Sequence, residues 1–173
     1  MRDSSGFAWP MGLLGIALIV LLAWYTTGNS GWRYQAPAPQ PVRLLGVSDG
    51  DSVRLSVDGS PAKFRLATVD APEHDQPYGH ESRNCLRSIL DQGQLTAVIH
   101  KTDKYGRLIG DLFVDGARVD VSLVERGCAW WYSRYATANV PLIRAHYAAM
   151  EAGVGLWQDS RAIAPEDWRR GVR

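Results

Sequence analysis

The sequence predicts an α+β domain, mostly β, built as a small five-stranded barrel with about three helices and preceded by an N-terminal transmembrane helix. Three observations predict it. Apolar or alternating segments of six to eight residues are punctuated by Asp-Gly pairs. The segments run in the order β-β-β-α-β-β-α-α, which is not the strict alternation of a parallel sheet. One uncharged apolar stretch stands before all of them, set apart by a proline-rich run.

That stretch comes first in the chain. No charged residue lies between Asp3 and Arg33, and Phe7 to Tyr25 gives 19 nearly continuous apolar residues. At about 1.5 Å per residue this nearly matches a hydrocarbon core of roughly 30 Å. Trp9, Trp24 and Tyr25 stand near its ends, where amphipathic rings favour the interface. Residues 1–27 are read as a single-pass anchor. A cleaved signal peptide is the alternative: Thr26, Gly28 and Ser30 would support cleavage, but Arg2 is opposed by Asp3 in a poor leading region. Residues 28–41, with three prolines in the run 35–41, read as a semi-extended linker. Residues 42–173 form the domain.

Within it, Val42 to Ser48 is a short apolar strand. Ser52 to Val57 alternates, with Val53, Leu55 and Val57 on one face. Asp58-Gly59 signals a hairpin turn into a third strand, Ala62 to Val69. Asp70 to Gly79 holds two prolines and is a loop. His80 to Asp91 carries Cys85, Leu86, Ile89 and Leu90 at helical spacing and is closed by Gly93. Leu95 to His100 and Leu108 to Val114 are strands, the second ending at Asp115-Gly116. Asp120 reads as the N-cap of a helix over Val121 to Arg126, with Gly127 as its stop. Val140 to Ala152 is the last helix, closed by Gly153 and Gly155.

Composition limits the function. The chain has 173 residues, 46% hydrophobic and 21% charged, with a formal net charge of +1. That excludes a disordered, collagen-like or polytopic membrane chain. After residue 41 there are 17 basic and 17 acidic residues, so no basic field marks a nucleic-acid-coating protein. Two cysteines are too few for a disulfide scaffold or a structural zinc site.

Acidic residues collect at predicted strand ends. Asp51 lies where the second strand begins; Asp70 and Glu73 lie where the third ends. Those positions are neighbours in an antiparallel hairpin, so the three carboxylates can converge. Hard carboxylate oxygens suit Ca²⁺ or Mg²⁺. Taken singly, Asp49-Gly50-Asp51 is explained by a turn and Asp70-Ala71-Pro72 by a strand end. The arginines change that weighing. Arg65 sits inside an apolar strand five residues before Asp70, and Arg107 opens another strand. A guanidinium meets a phosphate with two parallel hydrogen bonds and stays charged. Carboxylates for a divalent cation, arginines for a phosphate and a free carboxylate to activate water make a phosphodiester-cleaving set.

Five pieces then carry a resemblance: VSDGDSVRL (47–55), FRLATVDAPE (64–73), TDKYGRLIGDLFVDG (102–116), LVERGCAWWY (123–132) and GLW (155–157). In this order and spacing the chain resembles the staphylococcal nuclease family from Val42 to Trp168. The resemblance implies a five-stranded OB-like barrel with three helices. It implies a Ca²⁺-dependent, sugar-nonspecific endonuclease that hydrolyses DNA and RNA to 3′-phosphate products. Asp51 and Asp70 match the Ca²⁺-ligating carboxylates, and Ala71 matches a residue that ligates through its main-chain carbonyl. Glu73 matches the proposed general base. Arg65 and Arg107 match the arginines that bind the reacting phosphate. Lys104 and Tyr105 match positions near a terminal phosphate, and Tyr132 and Tyr135 could stack on bases or contact phosphate. Asp49 matches a turn residue beside the site.

A neutral domain departs from the basic founding member. It implies a weak grip on duplexes and a preference for single strands. The chain is expected to act as a monomer, anchored through residues 7–25 with its domain outside the cytoplasm, or secreted after cleavage. Cys85 and Cys128 could form one disulfide or remain two buried thiols. His74, Asp75, His80 and Glu81 read as a solvated polar loop, and Trp130, Trp131 and Trp157 as core or groove walls. The tail from Arg161 to Arg173 reads as a surface segment packed by Trp168. The alternative function is a catalytically inactive OB-like module that binds nucleic acid or protein. The five residues Asp51, Arg65, Asp70, Glu73 and Arg107 argue against it, because binding alone has no chemical need for them.

Overall fold

The computed structural model describes residues 38–173. The apolar span 7–25 and the linker up to residue 37 lie outside the described residues. Among the described residues no helix is long and apolar enough to cross a membrane.

The chain opens with β1 (Gln40–Pro41) and β2 (Arg43–Val47). β3 (Ser52–Val57) and β4 (Ser60–Leu66) form a hairpin whose turn, Asp58-Gly59, takes positive φ at both residues (49° and 81°). That is the turn whose twist matches paired strands, and Asp-Gly tolerates it. β5 (Val69–Asp70) precedes α1 (Gly79–Leu90). β6 (Leu95–Thr102), β7 (Leu108–Val114) and β8 (Ala117–Arg118) follow, then α2 (Val119–Glu125), β9 (Trp130–Trp131) and α3 (Val140–Ala152). A 3₁₀ turn (Gly155–Gln158) and α4 (Pro165–Arg169) complete the described chain.

The sheet runs β1-β6-β7-β4-β3-β2, with β8 beside β7. β4 and β7 are parallel, with Phe64 opposite Leu108 and Arg65 opposite Ile109. The other pairs are antiparallel. No strand pair joins the two ends of this path among the described residues, so the expected closed barrel is not drawn by hydrogen bonds alone. Instead its end strands, β1 and β2, are consecutive, separated only by Val42. One bent segment borders β6 at its start and β3 at its end. Gln40 and Pro41, predicted as linker, therefore belong to the sheet. Proline is tolerated there because β1 is a two-residue edge strand.

The five long strands and three long helices stand close to their predicted places. Their inward residues make one core: Leu55, Phe64, Leu86, Leu112, Leu123 and Leu142 are all essentially inaccessible. Burying each contributes roughly 1.5–3 kcal/mol of transfer free energy. Three predicted details are corrected. α1 ends at Leu90, one residue before the predicted Asp91, which caps it. The N-cap of α2 is Arg118, not Asp120. Asp120 is buried in the first turn and accepts hydrogen bonds from Arg118 Nε and Thr68 Oγ1, because a buried carboxylate needs charged or polar partners. The third predicted strand is divided: β4 stops at Leu66, and Val69–Asp70 pairs instead with β9, Asp70 opposite Trp130.

Candidate active site

The β3–β4 hairpin supplies the first half of the site. Asp51 immediately precedes β3, and the Leu66 N–H donates to its carbonyl at 2.9 Å, locking it beside the end of β4. The preceding turn is tied by the Asp51 N–H donating to Asp49 Oδ1 at 3.0 Å. Gly50 is required by space: a Cβ there would lie 1.8 Å from Ser82 Oγ and 2.7 Å from Ala71 Cβ. Only a bare backbone lets this turn press against α1 and the loop after β5. The turn then points Asp51 inward, where its side chain is 3% exposed.

Asp51 is fully engaged. Oδ1 accepts from Ser52 Oγ at 2.7 Å and from Arg65 Nη1, and Oδ2 accepts from the Ala71 N–H at 3.0 Å. Burial pushes its pKa from 3.8 up to about 6, even though Arg65 pulls the other way. A buried carboxylate with a raised pKa and a specific charge partner is the physical mark of a functional site.

Asp70 comes from β5, whose approach is fixed by Thr68 on Asp120 and by the Tyr132 N–H donating to the Thr68 carbonyl at 2.9 Å. Arg65 joins the two carboxylates. Its Nη2 donates to Asp70 Oδ1 at 2.9 Å while Nη1 meets Asp51. Burial opposes the charge on Arg65, but the two aspartates outweigh it and hold the guanidinium above its ordinary pKa. Asp51 and Asp70, two of the three carboxylates expected to converge, thus meet on Arg65, and both are under 5% exposed.

Glu73 stands three residues beyond Asp70, at the rim, with its side chain 39% exposed. Its N–H donates to Gln76 Oε1 at 3.1 Å, and Gln76 Nε2 donates to the Ile163 carbonyl at 2.7 Å. The loop carrying Glu73 is therefore tied to the C-terminal segment. That segment delivers a residue sequence reasoning missed. Arg169, at the end of α4, donates from Nη2 to Asp70 Oδ2 at 2.7 Å and from Nη1 to Glu73 Oε1 at 2.6 Å. A longer contact joins Nη1 to Asp70 Oδ1 at 3.3 Å. The Asp70 bond is the main reason its pKa is held well above the usual range. The tail lies at the surface, as predicted, and it also reaches the carboxylates. Pro165 at the first helical position, two acidic residues after it and Arg169 in the last turn did signal a short helix. Nothing local signalled its partner 99 residues away.

Arg107 stands apart from the Asp51–Arg65–Asp70 cluster. Parallel pairing of β4 with β7 puts it at the start of the strand beside Arg65. Its guanidinium, however, is paired locally, Nε to Asp103 Oδ2 at 2.8 Å, and is not among the groups bonded to the carboxylates. The Arg107 and Tyr105 N–H groups also bond Asp103, so a tight loop competes for the side chain. Tyr105 is 69% exposed, with Lys104 Nζ 5.0 Å and Arg107 5.6 Å from its ring centre. Tyr132 packs edge-on against Tyr135 at 4.8 Å, and burial together with the nearby Asp70 raises its hydroxyl pKa. Tyr135 is exposed.

Cys85 of α1 and Cys128 are joined in a disulfide, with Cα atoms 6.3 Å apart. Ala71 enters through its N–H, and its own side chain is buried. His74 and His80 meet at 4.6 Å, but among the described residues no three His, Cys, Asp or Glu side chains gather as metal ligands. Trp130 and Trp157 pack together at 4.3 Å beside His146, as walls behind β5.

Known proteins share this arrangement of sequence. The family model described as staphylococcal nuclease homologue matches residues 63–159. A probable staphylococcal-like nuclease of Oryza sativa subsp. japonica is 35% identical over 111 residues, 64% of this chain and 33% of that protein. An uncharacterized endonuclease of Haemophilus influenzae is 32% identical over 129 residues, covering 74% of this chain and 72% of its own length. Protein ParB of Escherichia coli is 32% identical over 137 residues, 73% of this chain and 77% of its own. The chain thus spans only about a third of the rice protein but nearly three quarters of the bacterial relatives. Asp51 and Arg169 fall outside the matched model, while Arg65, Asp70, Glu73 and Arg107 fall within it. With the hairpin, the parallel β4–β7 pair and this match in agreement, the chain belongs to the staphylococcal nuclease family.

Proposed function

We propose that this chain is a Ca²⁺-dependent, sugar-nonspecific nuclease that cleaves DNA and RNA to 3′-phosphate ends and prefers single strands. The observation that carries the reading is the bridge of Arg65 between Asp51 and Asp70, with Glu73 at the open rim. The residues fit a hard divalent cation. Two buried carboxylates are bridged by one guanidinium, and a second one reaches Asp70 from the rim. Asp51 and Asp70 would hold the ion with the Ala71 carbonyl, and water would fill the remaining positions. When bound, Ca²⁺ supplies charge neutralisation at the reacting phosphate.

The chain's own residues supply the rest. Glu73 accepts a proton from the attacking water as its oxygen bonds to phosphorus. The bond from phosphorus to the 5′ oxygen breaks, leaving a 3′-phosphate and a 5′-hydroxyl. Arg65, and Arg107 once it exchanges Asp103 for substrate, donate to the phosphoryl oxygens as charge develops. The leaving oxygen takes its proton from solvent, because a guanidinium does not give one up. Lys104 and Tyr105 contact a neighbouring phosphate, and Tyr132 and Tyr135 offer faces for unpaired bases.

Residues 1–27 anchor the chain and residues 42–173 work outside the cytoplasm. The Cys85–Cys128 disulfide supports that placement, since disulfides persist in oxidising compartments. A reporter fused after Arg173 checks it: cytoplasmic activity of the reporter refutes the placement.

The test of activity is cleavage of single- and double-stranded DNA by the full-length chain, with Ca²⁺ and with chelator. Glu73→Gln should lower the rate about 10²–10⁴-fold, as loss of a general base does. Arg107→Ala should lower it about 10²–10³-fold, as loss of a charge-stabilising donor does. Binding without cleavage under any divalent ion, unchanged in both variants, would make the protein the non-catalytic binding module instead.

A further inference from the structure

We infer that Arg169 is a built-in competitor of the divalent cation, a tethered guanidinium that must leave Asp70 before the site can load. The inference rests on the proposed reading that Asp51 and Asp70 hold Ca²⁺.

Asp70 has no free oxygen as the site stands. Oδ1 accepts from Arg65 Nη2 at 2.9 Å and lies 3.3 Å from Arg169 Nη1; Oδ2 accepts from Arg169 Nη2 at 2.7 Å. The Asp70 side chain is 4% exposed and that of Arg169 is 40% exposed, so the guanidinium lies between the carboxylate and solvent. A cation bound to Asp70 sits about 2.3–2.6 Å from its oxygens. That is inside the space the guanidinium fills, and the two positive charges repel. Arg65 cannot yield instead without stranding two buried aspartates, because it alone bridges them.

Charge makes the competition effective. Asp51, Asp70 and Glu73 against Arg65 and Arg169 leave the cluster one formal negative charge. Removing Arg169 leaves two, matching a divalent ion. Release is local. Arg169 ends a five-residue helix four residues from Arg173, and the helix has other anchors. Pro165 is buried, Trp168 Nε1 donates to Asp75 at 3.3 Å, and Arg134 Nη2 donates to Glu166 at 2.8 Å. The side chain can therefore swing away while α4 stays docked. Because Nη1 also holds Glu73, the same contact keeps the base engaged until the ion arrives. The contact thus raises the Ca²⁺ concentration at which the site fills.

The test is Ca²⁺ titration of the full-length chain by calorimetry, without nucleic acid. Wild type is compared with Arg169→Ala, Arg169→Gln, Arg170→Ala and Asp70→Asn. Arg170 serves as the charge-matched control, since among the described residues it pairs with Glu166 and Asp167 and with neither Asp70 nor Glu73. Both Arg169 variants should bind about tenfold more tightly, ~1.4 kcal/mol at 25 °C, and Arg170→Ala should bind as wild type does. The Ca²⁺ concentration for half-maximal cleavage should fall by the same factor. Equal affinity in wild type and the Arg169 variants, with binding lost in Asp70→Asn, overturns the inference and leaves the metal site standing. An equal gain from Arg170→Ala overturns it too, because bulk charge would explain it. Unchanged affinity with a fall in kcat would make Arg169 a phosphate ligand instead. Binding that survives in Asp70→Asn, or no binding in any variant, removes the proposed metal site and the inference with it.

Discussion

Asp51 carries the sharpest electrostatic conflict in the molecule. Its carboxylate touches Arg65, Ser52 and the Ala71 N–H, yet burial still lifts its pKa to about 6. The folded carboxyl keeps its proton up to about pH 6, whereas the unfolded one releases it near 3.8. Its contribution to stability is therefore complete below the unfolded value and is lost as pH rises through the folded one. About two pK units correspond to a loss on the order of 3 kcal/mol. Chemical unfolding in chelator, from pH 3.5 to 7, checks this at roughly half-unit intervals. The difference between wild type and Asp51→Asn should grow in that window, with wild type losing ground as pH rises. A flat difference would show that Asp51 titrates normally.

At the scale of elements, the site depends on how α1 and the loop before it are clamped. Ser82 of α1 donates to the Cys128 carbonyl at 2.6 Å, and the disulfide joins the same two segments one turn further along. Cys128 leads directly into β9, which pairs with Asp70. The disulfide spans 43 residues. On the chain-entropy model a loop of that size contributes about 4 kcal/mol, and measured values usually fall near 2–4. Replacing both cysteines by alanine should lower the unfolding free energy by about 2–4 kcal/mol in denaturant melts. A reductant should do the same to the wild type and nothing to the variant. Equal stability of all these forms would mean that the clamp rests on Ser82 and core packing alone.

For the whole molecule, the balance of charge sets how it meets a polyanion. The domain after residue 41 is formally neutral, and eight of its fourteen arginines contact carboxylates, among them Arg65, Arg107, Arg118 and Arg169. Those paired guanidiniums are not free to displace counterions from nucleic acid. Binding of a single-stranded oligonucleotide by the Glu73→Gln variant should weaken with salt at a log–log slope shallower than about −3. Each phosphate contact on a single strand contributes about −0.7. A slope steeper than about −6 would mean that a wider surface joins the site.

Much of this was legible from residues alone because its causes are local. Alternation in 52–57, the Asp-Gly turns and the helical spacing of 85–90 each act within a few residues, so strands and helices fell close to where they were predicted. Asp51, Arg65 and Asp70 were legible for the same reason: one hairpin and five residues of chain bring them together. What only the tertiary structure decided involves competition between distant or alternative partners. Arg107 could serve the site or Asp103, and the tight loop over 103–107 takes it for Asp103. Asp120 could cap a helix or hold Thr68, and burial settles it on Thr68 and Arg118. Cys85 and Cys128 could stay apart until α1 and the end of α2 packed together. Arg169 meets Asp70 across 99 residues. No periodicity encodes such a meeting. It follows from where the whole core leaves the last helix, and a long flexible arginine then finds the nearest unsatisfied negative charge.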